Sequence, residues 1–114
     1  MVMRLNAKPN RQIRMSDLNN DLRLVIDTGK VTYGGREVTR SISDSKAKAV
    51  VVASKGNKGI VDDILHMCNV SGIRVIPYKG NSFELGTLCG KPHSVNAVAI
   101  LEPGNSGILK EEYS

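Results

Sequence analysis

The sequence predicts an α/β fold in which helices cover both faces of a four-stranded sheet. Helical and strand-type hydrophobic patterns alternate strictly along the chain, with four of each. One predicted strand, KAVVVAS at 48–54, is a continuous run of small and β-branched apolar residues, which is typical of a strand buried on both faces. The length of 114 residues fits one domain, and the hydrophobic content of 40% is ordinary for a globular protein.

Glycines separate the predicted elements in the first third of the chain. Ser16 is placed as the N-cap of an amphipathic helix, which Gly29 is expected to end in the left-handed conformation. KVTY at 30–33 is then a short strand, and the glycine pair 34–35 breaks it. A weaker helix is predicted at about 36–46.

The middle of the chain repeats this strand and helix pattern. After the buried strand, KGNKG at 55–59 is predicted as a loop. Apolar residues from Ile60 onward recur at helical spacing, and the helix is expected to end near Gly72. IRVIPY at 73–78 is a strand, in which Pro77 indicates either the strand's end or a sheet edge.

The last helix and strand are predicted from a capping motif and a second apolar run. Asn81 and Glu84 have the spacing of a capping box, so a short helix is expected from there to about Cys89. VNAVAIL at 95–101 is the last strand, and residues 102–114 are predicted to be a loop and a fraying tail.

The net charge of +5 is concentrated near the start of the chain. Residues 1–15 contain four bases and no acid, whereas the rest contains twelve bases and eleven acids. A basic arm on a nearly neutral body indicates a polyanionic partner such as nucleic acid, and a solubilising tail is the alternative. The sequence shows no signal peptide and no apolar run long enough to span a bilayer, so no membrane partner is expected.

The residues that commonly carry catalysis or bind metals do not form a recognisable motif. GTLCGKP at 86–92 differs from a phosphate-binding loop, because only three residues lie between its glycines where the motif has four, Pro92 replaces the hydroxyl residue and a strand follows. His66 and Cys68 are two apart in a helix, so they point about 200° apart and cannot share a metal ion. We therefore expect neither an enzyme nor a cofactor, and Cys68 and Cys89 are expected to be buried thiols.

Glycine-rich, basic corners recur at three joints between elements. They are Gly34-Gly35-Arg36, Lys55-Gly56-Asn57 and Gly90-Lys91-Pro92-His93. The first two lie at one sheet edge if their strands are parallel, and the third joins them if the last strand is antiparallel. Glycines would admit a phosphate backbone, and amide groups opening the second helix would bind an anion.

Side chains at these corners suit RNA. Arg36, Lys55 and Lys91 would neutralise phosphates, and His93, stiffened by Pro92, would stack on an unpaired base. The alternative interpretation is that these residues are ordinary turns and surface charges.

A longer stretch of sequence resembles a known family. SGIRVIPYKGNSFELGTLCGKPHSVNAVAILEPGNSGIL at 71–109 is similar to the C-terminal half of the archaeal and eukaryotic large-subunit ribosomal protein thirty family, within the kink-turn-binding superfamily. VIDTGKVTYG at 25–34 and KAVVVAS resemble its first half, so the likeness covers about residues 16–110. It implies a three-layer α/β/α sandwich with a mixed four-stranded sheet, and a non-catalytic protein that grips a kinked RNA loop with three loops.

The resemblance also implies roles for particular residues. Gly34 and Arg36 match the glycine and base that open the second helix in the family. Gly90 and Lys91 match the glycine and base of the third loop. His93 falls where some relatives carry an aromatic residue that stacks on an extruded base.

Two positions depart from the family pattern. Lys55 stands where many relatives have Asn. A lysine lacks the side-chain amide of that Asn, but it can still contact a phosphate. Glu37 resembles a glutamate of the sister ribosomal protein seven, which reads guanine edges in that protein. An acid that favours a helix N-terminus is the alternative interpretation of Glu37.

The sequence therefore predicts a structural ribosomal protein of the cytoplasmic large subunit that binds rRNA at a kink-turn-like internal loop. Neighbouring ribosomal proteins are its expected further partners, and it is expected to be a monomer outside the ribosome. Residues 1–15 are assigned as a basic arm, 16–110 as the RNA-binding domain and 111–114 as a tail. A kink-turn adaptor of another ribonucleoprotein particle and a small nucleotide-using enzyme are the alternatives.

Overall fold

The computed structural model describes residues 15–109, so the predictions for the rest of the basic arm and for the tail at 111–114 lie outside the described residues. Within this range, helices and strands alternate as predicted. In chain order the elements are α1 (Met15–Thr28), β1 (Lys30–Tyr33), α2 (Gly35–Ser43), β2 (Ala49–Lys55), α3 (Lys58–Ser71), β3 (Arg74–Asn81), α4 (Ser82–Leu88) and β4 (Ala97–Glu102).

The four strands form one mixed sheet in the order β1-β4-β2-β3. β2 and β3 are parallel, and β4 is antiparallel to both of its neighbours, β1 and β2. Since β4 alone is reversed in this sheet, the carboxyl ends of β1, β2 and β3 meet the beginning of β4 at one edge. We call this edge, with residues 34–36, 55–57 and 90–96, the loop end.

The sheet is covered on both faces, which confirms the predicted three-layer α/β/α sandwich. Buried residues of α1 and α4 pack on one face, and those of α2 and α3 pack on the other. Residues of β2 alternate between the two cores: Val51 faces α1 and α4, whereas Val50 and Val52 face α2 and α3. The continuous apolar pattern of β2 therefore reflects burial on both sides.

α1 ends at Thr28, directly before Gly29 as predicted, but its start and the conformation of Gly29 differ from the prediction. The helix already includes Met15, so Ser16 is not its N-cap, and Gly29 is absent from the residues with a left-handed backbone. Gly29 has another requirement, because a Cβ atom added there would overlap the carbonyl oxygen of Glu102 at the end of β4. A glycine is needed at this position for close packing rather than for its φ angle.

α2 is shorter than predicted and ends at Ser43 instead of continuing to about residue 46. Ser45 has a φ of 60°, which the helix cannot accommodate. The N–H groups of Lys46 and Ala47 then both donate to the carbonyl oxygen of Ser41, at 2.9 and 3.2 Å. The chain thus turns back toward β2 one helical turn early.

The predicted signals around α3, β3 and α4 are confirmed. Gly72 ends α3 in the left-handed conformation, with a φ of 71°. Pro77 lies within β3, which is an edge strand. The capping box of α4 is complete: the Asn81 side chain accepts from the Glu84 N–H at 2.8 Å, and the Glu84 carboxylate accepts from the Asn81 N–H at 2.9 Å.

The segment after β4 is better ordered than the predicted fraying tail. Residues 103–109 pack along α1, where the Ser106 hydroxyl donates to the carbonyl oxygen of Asp21 at 2.6 Å. Ile108 is fully buried in the same core as α1. The predicted loop is confirmed, since residues 103–109 contain turns but no helix or strand, whereas the burial of Ile108 was not predicted.

Both cysteines are free and buried, as predicted. Burial raises the pKa of the Cys68 thiol, and it raises the pKa of Cys89 to about 11 against a smaller lowering by Lys91. These thiols are therefore neutral at pH 7 and act as small apolar groups. Among residues 15–109, no helix is both long and apolar enough to cross a membrane.

Gly86 in α4 should tolerate no side chain. A Cβ atom there would overlap the carbonyl oxygen of His93, so we expect Gly86→Ala to lower the free energy of unfolding by about 1–3 kcal/mol, as for other overpacked sites. Urea unfolding of the purified chain measures this. Gly59→Ala is the matched control, because its Cβ meets only an ordinary contact at 3.5 Å and alanine favours a helix. A Gly86→Ala protein as stable as wild type would contradict the close approach.

Candidate nucleic-acid interface

The structure brings all three predicted corners to the loop end. The first loop is attached to the start of β4, where the Gly34 N–H donates to the Ala97 carbonyl oxygen at 3.4 Å. Gly34 has a φ of 85° and precedes α2, which begins at Gly35. This backbone conformation strongly favours glycine, so the predicted break after β1 is confirmed.

Asn96 joins the second loop to the third. Its side-chain oxygen accepts from the Asn57 N–H at 2.8 Å, and its carbonyl oxygen accepts from the Ala53 N–H at 2.9 Å. A Cβ atom at Gly56 would lie 2.6 Å from the Asn96 side-chain oxygen, so Gly56 is needed for this contact. Sequence reasoning missed Asn96, because only the pairing of distant segments distinguishes it from an ordinary loop asparagine.

The three helices that start at the loop end are capped differently. Asn57 caps α3 by accepting from the Ile60 N–H at 3.1 Å, and Asn81 caps α4. No side chain caps α2, whose N-cap is Gly34. The first-turn amides of α2 are therefore not satisfied by a cap and can donate to solvent or to an anion. The oxygen of the Asn57 side chain is committed to its helix.

Charged side chains of the first two loops extend into solvent. Arg36 and Glu37 are exposed in the first turn of α2, and Lys55 is exposed at the end of β2. Neither Arg36 nor Lys55 forms an ion pair with another residue of the described range 15–109, whereas Lys58 pairs with Asp62 at 3.4 Å. The positive charges of Arg36 and Lys55 thus have no intramolecular counter-ion there.

An open groove lies beside Arg36. It has a volume of about 340 Å³ and runs between the first turns of α2 and α3. Arg36, Thr39, Ile60 and Asp63 contribute to its walls. Ile60 is 39% exposed, so the groove presents apolar surface next to a cation.

Lys91 is held in place by an aromatic ring. Its ammonium group lies 4.5 Å from the centroid of the Tyr33 ring at the end of β1. Burial, together with smaller effects of Cys89 and Asp27, raises the pKa of the Tyr33 phenol, so the ring is neutral at pH 7. The cation–π contact links the end of β1, directly before the first loop, to the third loop, and no sequence motif predicted this role of Tyr33.

The third loop is fixed on α4. Gly90 has a φ of 76°, and the Lys91 N–H donates to the Gly86 carbonyl oxygen at 2.9 Å. Pro92 and His93 are exposed beyond this turn. The His93 Nδ1 atom lies 3.0 Å from the Ser94 carbonyl oxygen, which accepts when Nδ1 carries the proton. In that tautomer the Ser94 carbonyl group orients the imidazole, which remains accessible.

The eleven predicted site residues consequently lie at one end of the molecule. They are Gly34, Gly35, Arg36, Glu37, Lys55, Gly56, Asn57, Gly90, Lys91, Pro92 and His93. Across the part of the chain that the structure describes, no three His, Cys, Asp or Glu side chains are close enough to hold a metal ion. The loop end is a cationic surface with exposed amides and an exposed imidazole, which can bind an anionic polymer through phosphates and bases.

Comparisons with known proteins are consistent with this chemistry. The chain is 35% identical to large ribosomal subunit protein eL30 of Sulfurisphaera tokodaii, over 85% of this chain and 92% of the relative. It is 38% identical to eL30 of Methanobrevibacter smithii over 85% and 98%, and 40% identical to eL30 of Saccharolobus solfataricus over 78% and 82%. Residues 16–110 match the description "Ribosomal protein L7Ae/L30e/S12e/Gadd45 family", and with this coverage the chain belongs to that family.

Proposed function

We propose that this chain is a structural protein of the large ribosomal subunit that binds rRNA at a kink-turn-like internal loop. The relatives reported above are all named large ribosomal subunit proteins, which supports the ribosomal role and a cytoplasmic location. The observation that carries the RNA site is the convergence of three loops at the end of one sheet. A single bent RNA can contact all three at once.

Phosphates are the proposed ligands of the first two loops. Arg36 supplies a guanidinium beside the uncapped amides of α2, and both can donate to one phosphate. Lys55 adds a cation at the end of β2, which is separated from β1 by β4 in the sheet. Gly34 and Gly56 have no side chain that would project from the surface, so a sugar-phosphate backbone can approach it closely.

Bases are the proposed ligands of the third loop and of its neighbours. The exposed imidazole of His93 offers a flat surface for an extruded base, and Lys91 neutralises a nearby phosphate from its fixed position over Tyr33. The Asn57 side chain can still donate through its NH2 group, since only its oxygen is used in the cap. Glu37 is exposed beside Arg36 and can accept from a guanine edge.

The proposed mechanism is selection of a bent RNA conformer. The loop end is held together by backbone hydrogen bonds, helix caps and the Asn96 contacts, so it changes little on binding. A rigid cradle binds the bent conformer better than the extended one and shifts the population toward the bend. The protein acts in this way as a binder and not as a catalyst.

We assign this activity to residues 16–110 and expect the basic arm at 1–15 to add non-specific attraction to RNA. The chain should be a monomer in the absence of rRNA. Neighbouring ribosomal proteins become its partners in the assembled subunit.

The proposed function can be tested with a fluorescently labelled RNA internal loop. We expect the protein to bring the two helical arms closer, so energy transfer between end labels rises on titration and saturates at one protein per RNA. The same strands made fully complementary serve as the control and should show no such change. Equal affinity for the loop and the duplex would contradict shape selection. Fractionation of cell extracts then separates the ribosomal role from that of an adaptor in another particle.

Replacing a phosphate-binding cation should change the salt dependence of RNA binding. We expect Arg36→Ala or Lys91→Ala to weaken binding and to reduce the slope of log K against log salt by roughly one unit per lost contact. Lys46→Ala is the control, because this exposed lysine lies between α2 and β2 at the opposite end. A slope that stays unchanged removes the substituted residue from the phosphate contacts.

Removing the imidazole of His93 should remove the group on which an unpaired base stacks. We expect His93→Ala to weaken binding of the internal loop by about 1–3 kcal/mol, measured by titration calorimetry. His66→Ala is a matched control, since His66 is an exposed histidine on α3 away from the loop end. An affinity equal to that of wild type would show that His93 does not stack on RNA.

A further inference from the structure

Phe83 is an exposed aromatic residue that the proposed site does not use. Its side chain is 66% exposed in the first turn of α4, although the helix buries Leu85 and Gly86 on its inner face. The other large hydrophobic residues exposed in the described range are aliphatic, and three of them are only 38–39% exposed. Phe83 therefore contributes little to the core and presents a ring to a possible ligand.

The position of Phe83 is fixed by the fold at the loop end. β3 carries the chain to this edge, and the capping box at Asn81 starts α4 there. The carbonyl oxygen of Ser82, the residue before Phe83, accepts from the Val95 N–H at 2.8 Å, which ties this turn to the third loop. One turn later, Gly86 packs against the backbone of His93. Phe83 and His93 thus belong to a helix and a loop that are bonded together.

An exposed lysine lies on the strand beside β3 close to the start of α4. In the sheet register this lysine, Lys55, pairs with Asn81, two residues before Phe83. The nearest acid in the sequence, Glu84, is engaged in the capping box. An apolar ring and a nearby cation complement a nucleotide, which brings a flat base together with a phosphate.

We infer that Phe83 is a second base-stacking platform, which extends the RNA contact by one unpaired nucleotide beyond the base that meets His93. The inference rests on the proposed function, because it uses the same cradle. Phe83 on α4 and His93 on the third loop then take different bases of the same strand. The recognised RNA has, accordingly, at least two unpaired nucleotides on the side that faces α4.

Substitutions at Phe83 separate stacking from simple apolar contact. Phe83→Ala and Phe83→Leu should each weaken binding of the internal loop about tenfold or more, whereas Phe83→Trp should retain affinity, because stacking requires an aromatic face. The control is Val70→Ala, since Val70 is 71% exposed near the end of α3, away from the loop end. Urea unfolding checks that each variant is folded, which is expected for an exposed position.

RNA variants identify the base. With the fluorescent base 2-aminopurine placed at each unpaired position in turn, the fluorescence at one position should be quenched by wild type and by Phe83→Trp but not by Phe83→Ala. At a different position, the quenching should be lost in His93→Ala. The losses from Phe83→Ala and His93→Ala should add in the double variant. Strong non-additivity with one shared quenched position would overturn a second platform.

The outcomes distinguish this inference from the proposed function. If wild type binds the internal loop and Phe83→Ala binds it equally well, the inference is overturned and the proposed function stands. If Phe83→Ala binds RNA normally but fails to enter large subunits, Phe83 contacts a protein, which also overturns the inference. If wild type does not prefer the internal loop to the duplex, the proposed function itself fails.

Discussion

The reversal of β4 is the constraint on which the loop end depends. β4 lies between β1 and β2 and is antiparallel to both, so the segment that leads into it must begin where β1 and β2 finish. A parallel β4 would start at the opposite edge and place the third loop about the length of a strand away from the other two. The first four residues of the strand are buried, with Val98 and Ile100 in one core and Ala97 and Ala99 in the other, so both cores hold it in place. The shape of the surface is thus a consequence of the hydrophobic interior.

Polar contacts then make the three loops one rigid unit. Asn96 bonds to the second loop with its side chain and to Ala53 of β2 with its backbone, and the ammonium of Lys91 lies over the Tyr33 ring. Each of these contacts crosses between segments that are far apart in the sequence. A surface held in this way loses little conformational entropy when a ligand binds. Such a surface suits the proposed selection of a bent RNA, because little binding energy is spent on ordering the protein.

α4 is only seven residues long, yet it organises the third loop. Its capping box fixes where it begins, and Gly86 lets the backbone of His93 lie directly against it. Two accessible rings, Phe83 on the helix and His93 on the loop, result from this arrangement. The absence of a side chain at Gly86 matters here as much as any side chain that is present. The raised pKa of the buried Cys89 thiol reflects the same close packing beneath the loop.

The sequence by itself determined the order and type of the elements, the double-sided burial of β2, the capping box of α4 and the identity of the three corners. These features follow from local periodicity, capping chemistry and backbone preference, which neighbouring residues decide. The N-cap at Ser16 and the left-handed conformation of Gly29 were wrong, although α1 does end directly before Gly29, where close packing against Glu102 requires the glycine. Only the tertiary structure decided the direction of β4, the roles of Asn96 and Tyr33 and the burial of Ile108. Each of these depends on contacts between distant segments, for which a single sequence carries no local signal.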